Sequence, residues 1–213
     1  MIGIPSLFVY DQRKRLLVNE YSPLGGETHN WVAVEMMPGA DIRVTMRSGN
    51  VVRLEVLQRP NQDQKALGIT EPWFRDATEK GPDLWLWKAV WITDLSNVID
   101  GEWEGEAVGE GIKHNPLNLE DSTIVLSSLW PWREIIDVTL PPELGRVPLE
   151  YDDLRYYLTT STSKFSDNAP MEGVVWWCHD TPIAQVRTRD FPTTTMFPNP
   201  EAERIGSNGT EEG

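Results

Sequence analysis

Glu102, Glu104 and Glu106 stand at i, i+2 and i+4, with Glu110 close behind, and on a strand that spacing sets three carboxylates in one row. Such a row can hold a divalent cation, imitate a phosphate backbone, or form a solvated strand edge that discourages pairing between sheets. Like charges on one face are tolerated when solvated or matched, so a basic partner is their natural ligand. Tryptophan is the other unusual resource: of the ten in the chain, seven cluster as Trp85, Trp87 and Trp91, as Trp130 and Trp132, and as Trp176 and Trp177. Pro131 keeps the backbone between Trp130 and Trp132 extended, and a ring exposed there would stack on a sugar or anchor an interface. The candidate binding residues are therefore Glu102, Glu104, Glu106, Glu110, Trp130 and Trp132; no catalytic and no metal-ligating residue is assigned.

Other reactive side chains are few. Three histidines (His29, His114 and His179) and one cysteine, Cys178, are present. Cys178 and His179 are sequence neighbours, so on a strand their side chains point to opposite faces and make no catalytic dyad. No HExxH or HxH spacing gathers metal ligands on one element, and a metal would require the histidines to converge with distant carboxylates. The phosphate-binding G-x-x-x-x-G-K-[ST] and G-x-G-x-x-G loops and the G-x-S-x-G elbow are all missing, which removes the usual support for nucleotide-dependent and α/β-hydrolase chemistry. Asp41, followed by Glu55-Val56-Leu57, looks like the carboxylate core of the PD-(D/E)XK nucleases over about 17 residues. Leu57 stands where that family has lysine, leaving no group to activate water, and the activity is not carried over.

The elements that must position these groups are mostly strands. Ile42, Val44 and Met46 alternate with Arg43, Thr45 and Arg47; Ser48-Gly49-Asn50 tolerates a positive φ; Val52, Leu54 and Val56 then alternate with Arg53 and Glu55. Period two on both sides of a short loop predicts a β-hairpin over 41–57, with arginine and glutamate paired across its polar face. Weaker patterns predict a hairpin over 7–10 and 16–21, and strands at 31–37, 84–92, 123–126, 134–140, 173–178 and 183–187, the last two joined through His179–Pro182. Pro72 to Lys80, halted by Gly81-Pro82, reads as a short helix, as does 149–158, where Tyr151, Leu154 and Leu158 share a face. Thr93 could cap a single turn ended by Gly101. The 84–92 segment is apolar on both faces, so as a strand it would be covered on both sides.

The fold class that follows is mainly β, an antiparallel sandwich or barrel built from hairpins with one or two short helices. One β-rich domain is expected over 1–189, with a possible sub-boundary near 60–82, followed by an extended acidic tail over 190–213 rich in Pro, Thr and Gly. Of the formal charge of −14 on 213 residues, residues 1–60 carry +1 and the tail −4, so the middle of the chain holds most of the acidity. Phosphate binding gains from Lys and Arg displacing counterions, and direct contact with nucleic acid is not expected at this charge. No apolar run of 18 residues and no signal peptide is evident, which suggests a cytoplasmic or virion location. With no catalytic signature, the expected function is a non-enzymatic protein–protein interaction or assembly component: a phage virion protein, or an acidic inhibitor of a basic nucleic-acid-binding protein. The alternatives are a carbohydrate-binding β-sandwich using Trp130, Trp132, Trp176 or Trp177, and a metal-dependent hydrolase using Asp41, Glu55 and the 102–106 row. No cofactor is expected.

Overall fold

The computed structural model describes residues 3–22, 30–166 and 169–192. Their architecture is mainly β and antiparallel, in two open sheets and a separate hairpin. The larger sheet holds β4 (Ala40–Arg47), β5 (Asn50–Gln58), β6 (Trp73–Asp76), β7 (Gly101–Val108) and β8 (Thr123–Val125) in the order β6-β5-β4-β7-β8. The smaller holds β3 (Trp31–Glu35), β9 (Glu143–Gly145), β10 (Gly173–Cys178) and β11 (Thr181–Arg187) in the order β11-β10-β3-β9. Strands β1 (Phe8–Asp11) and β2 (Leu16–Tyr21) form the hairpin.

The 41–57 hairpin forms, but a bulge between Thr45 and Met46 sets Met46 opposite Val51 and leaves Val52, expected on the apolar face, exposed. Ile42, Val44, Met46 and Leu54 are buried, while Arg43 faces Glu55 across the ladder. Glu55 is 4% exposed and lies 3.2 Å from Arg53 and 4.0 Å from Arg43. Those pairs occupy the carboxylate that sequence alone allowed as a metal ligand. Asp41 lies on the same strand face as Arg43 but toward the other end, and among the described residues no group of three His, Cys, Asp or Glu side chains could hold a metal ion.

Four sequence expectations are corrected. Residues 84–92 form a helix, α2 (Leu84–Ile92), which buries Leu86, Ala89 and Val90 against the larger sheet and leaves Trp91 and Ile92 exposed. Eight of its nine residues are apolar, so period two and period 3.6 fit them equally and length has to arbitrate. Gly81-Pro82 is the start signal of this helix and not the stop of an earlier one: a 3-10 turn over Gly81–Asp83 leads straight into α2. The segment before it is strand β6, which pairs Trp73–Asp76 with Gln58–Glu55. Arg75 fastens it by donating from both terminal nitrogens to Asp83, at 2.6 and 3.0 Å. Residues 134–140 form no strand, and Thr93 caps no turn but accepts the Ile124 amide at 2.9 Å and donates to the Ala89 carbonyl at 2.7 Å. The unforeseen α1 (Gln62–Ala66) is closed by a capping box between Asn61 and Gln64.

The second expected helix is present as α3 (Tyr151–Thr160). It buries Tyr151, Leu154 and Leu158 against the β1–β2 hairpin and the smaller sheet, and the Tyr151 hydroxyl donates to the Leu17 carbonyl at 3.0 Å. Ile4, Val34, Met36, Trp130, Val175 and Trp177 make a third apolar cluster, joining the smaller sheet to the 3-10 segment Ser127–Trp132. The two sheets are connected through Met36–Gly39. Gly39 must be glycine, since a Cβ there would lie 2.5 Å from the Ala107 carbonyl oxygen. The expected tail lies outside the described residues from position 193 on.

At the start of that connection Glu35 is 1% exposed and accepts the Lys164 amide at 2.8 Å. Burial pushes its carboxyl above the ordinary range, against hydrogen bonds from Ser163 and Lys164. A carboxyl raised on folding binds its proton more tightly in the native state, so stability is greatest below the unfolded value and falls as pH climbs through the raised one. Glu35→Gln is expected to remove that part of the pH dependence, so that the variant gains on the parent as pH rises from 4 to 8. Thermal midpoints of both proteins across that range check it.

Candidate active-site cleft

A cleft of about 540 Å³ lies between the two sheets. Its walls come from separate parts of the chain: Asp41 of β4 and Glu106 of β7 from the larger sheet, Val175, Gln185 and Arg187 of β10 and β11 from the smaller, and Met36–Gly39 between them. Arg59, Lys113, Glu172 and Arg189 complete the charged lining, with Ile4 and Pro116.

Asp41 and Glu106 are direct partners across the β4–β7 ladder, so their carboxylates share a face. Glu106 is 8% exposed and accepts the Ser127 hydroxyl. Burial pushes its carboxyl upward, opposed by the Ser127 hydrogen bond and by a positive charge, with a smaller push the same way from Asp41. Arg59 lies 4.0 Å from Asp41, and Arg189 lies 3.6 Å from Glu172. Among the described residues Arg187 has no ion pair. Arg59, Lys113, Arg187 and Arg189 outnumber Asp41, Glu106 and Glu172 among the lining residues.

Lys113 reaches back from an exposed position, and its ammonium donates to the Gly39 carbonyl. Loss of hydration holds this amine below its ordinary range, helped by the positive charges of Arg59, Arg187 and Arg189 and opposed by Asp41. The backbone that carries it is strained. Lys113, His114 and Asn115 have φ of 43°, 64° and 50°, three consecutive non-glycine residues in the left-handed region, each costing on the order of 1–3 kcal/mol. Asn115 repays part of this by clamping the loop: it donates to the Leu119 carbonyl at 2.7 Å and accepts the Leu119 amide at 3.0 Å. A conformation so costly, held by its own clamp, fixes where the Lys113 stem leaves the backbone.

The sequence candidates are dispersed by the fold. Glu102, Glu104 and Glu106 do share one face of β7, which pairs with β4 over Gly101–Ala107 and with β8 only over Glu106–Val108. Glu102 is exposed, Glu104 is bonded by Arg43 at 3.0 Å, Glu106 enters the cleft, and Glu110 lies exposed beyond the strand. Trp130, Trp176 and Trp177 are 2–3% exposed, and Trp130 is stacked on Trp177 at 5.7 Å under the guanidinium of Arg133. These rings are core and cannot stack on sugars; of the proposed carbohydrate platform only Trp132 reaches the surface, at 37%. His179 sits in the two-residue turn between β10 and β11 with φ 52°, and His29 lies outside the described residues. Arg59, Lys113, Arg187 and Arg189 were not foreseen. Arg187-Thr188-Arg189, two guanidiniums at i, i+2 leaving a strand in an acidic chain, was the one local signal for them.

No helix among the described residues is long and apolar enough to cross a membrane. No protein-family model and no curated protein matches this chain. Among solved structures it is similar to Naegleria gruberi RNA ligase with PPi, at 12% identity and a TM-score of 0.49, covering 89% of this chain and 62% of the other. A variant of that ligase bound to AMP and Mn gives 14% identity and a TM-score of 0.46, over 75% and 49%. Another, without ligand, gives 14% and 0.45 over 87% and 61%. The chain thus spans from about half to under two thirds of the length of these proteins. The similar structures are those of an RNA ligase, and the expectations of a non-enzymatic assembly component, of a virion or structural protein, and of no direct contact with nucleic acid are set aside against that finding.

Proposed function

We propose that the cleft between the sheets binds a nucleoside triphosphate and that Lys113 accepts the nucleotidyl group from it. The observation that carries this is the Lys113 amine, held below its ordinary range among Arg59, Arg187 and Arg189 on a strained and clamped loop. Guanidiniums bind phosphate oxygens through paired N–H groups, and a cleft of about 540 Å³ is of the size that encloses a nucleotide. Met36, Met37 and Val175 supply the apolar wall a base needs. Asp41 and Glu106 are the carboxylates able to meet ribose hydroxyls or the magnesium a triphosphate carries.

In the reaction the unprotonated Lys113 nitrogen attacks the α-phosphorus. The P–N bond forms as the P–O bond to pyrophosphate breaks, and pyrophosphate departs with the electron pair. The proton lost from nitrogen passes to Asp41, the carboxylate whose charge acts on Lys113. Desolvation beside other cations is a known way to free a lysine for such an attack.

Binding is tested by titrating the protein with ATP and GTP in a calorimeter. A saturable isotherm is expected, weakened about 10- to 100-fold by Arg187→Ala combined with Arg189→Ala. Absence of saturation by both nucleotides, or unchanged affinity in the double variant, would defeat the proposal.

A further inference from the structure

A second hollow, of about 420 Å³, opens beside the outer end of β7, the Ser127–Trp132 segment and the β10–β11 turn. Ile4 lines both this hollow and the nucleotide cleft, so the N-terminal segment stands as a wall between them. Their chemistry is opposite. Trp103 and Trp132 meet edge to face, 5.5 Å apart at 73°, so two ring planes stand nearly at right angles. Trp177 contributes a third indole, rigid because it is buried and stacked on Trp130. The indole nitrogen of Trp103 is already committed, donating to the Ile99 carbonyl at 2.9 Å, which fixes that ring.

Around these rings stand Glu102, Glu104 and Asp180, and no lysine, arginine or histidine is among the lining residues. Arg43 matches the charge of Glu104. Glu102 and Asp180, both exposed, leave the rim negative. Indole faces attract cations through their quadrupole, most strongly where the cation is poorly hydrated. An anion would be repelled by the rim. A small metal ion would gain nothing from the rings and finds no group of three ligands there.

We infer that this hollow binds a small organic cation, a quaternary or alkylated ammonium, with its charge in the corner that the Trp103 and Trp132 rings make and the carboxylates of Glu102 and Asp180 at its rim. The inference is independent of the nucleotide proposal.

The test is a titration of the full chain with tetramethylammonium chloride, followed by tryptophan fluorescence against sodium chloride at equal ionic strength. A saturable change at about millimolar concentration is expected beyond the sodium control. Trp132→Ala should weaken it about tenfold, Asp180→Asn about threefold, and Trp132→Phe should retain most of it. Asp180 lies exposed in a turn, so that variant reports even if Trp132→Ala fails to fold. No saturation above the sodium control, equal affinity in Trp132→Ala and Asp180→Asn, or an equal response to manganese chloride would each overturn the inference.

Discussion

Lys113→Ala is expected to abolish a covalent nucleotidyl adduct that the parent protein forms when incubated with a nucleoside triphosphate and magnesium. Intact mass spectrometry reads the adduct as the mass of the nucleoside monophosphate less water, and a phosphoramidate bond should be lost on brief acid treatment while surviving base. The loss should exceed about 10³-fold, because the variant has no nitrogen to attack and the guanidiniums around it stay protonated at any working pH. Lys113→Arg is the discriminating partner. It keeps a cation for the phosphates, so nucleotide affinity should change by no more than about threefold while the adduct stays absent. The rate of adduct formation should rise with pH until Lys113 is fully unprotonated, and reach its plateau below the pH that an ordinary lysine would require, since its amine is held low. A parent that binds nucleotide without forming an adduct would refute the role of Lys113 and leave the binding intact.

Trp130→Ala is expected to cost about 3–5 kcal/mol of stability, the largest loss from any single tryptophan. The ring is 2% exposed, stacked on Trp177, and packed with Val34, Met36 and Val175 at the junction of the smaller sheet and the Ser127–Trp132 segment. Its removal leaves a cavity and takes away the face that Arg133 covers at 3.9 Å. At about 2–4 °C per kcal/mol for a chain of this size, the thermal midpoint should fall by roughly 6–20 °C. Trp132→Ala, 37% exposed, should shift it far less. Equal shifts would mean that Trp130 is not the core residue its burial implies.

The central hairpin of the larger sheet was legible because its sequence keeps period two on both sides of a turn that Ser-Gly-Asn favours, whereas β6 was read as a helix and β7 was not among the expected strands. Burial on one face and exposure on the other is a local constraint, so neighbouring residues record it. The same logic recovered α3, where Tyr151, Leu154 and Leu158 share a stripe. It failed at α2, because a segment apolar at nearly every position has no face to report, and at Gly81-Pro82, because that pair marks a boundary without saying which side is helix.

The cleft obeys no such local rule. Asp41, Arg59, Glu106, Lys113, Arg187 and Arg189 are spread over most of the chain, and each reads as an ordinary surface charge where it stands. By itself the sequence determined an acidic, mainly antiparallel β protein, with an alternating hairpin, one amphipathic helix and a surplus of tryptophan. Only the tertiary structure decided that Glu106 is buried beside Asp41, that three arginines and Lys113 line the same cleft, and that Trp130, Trp176 and Trp177 are core while Trp91 and Trp132 are exposed. The reason is physical: periodicity is set by each residue's own burial, whereas a site is set by which strands become neighbours. That pairing is chosen by the packing of the whole chain and leaves no trace in the spacing of the residues it brings together.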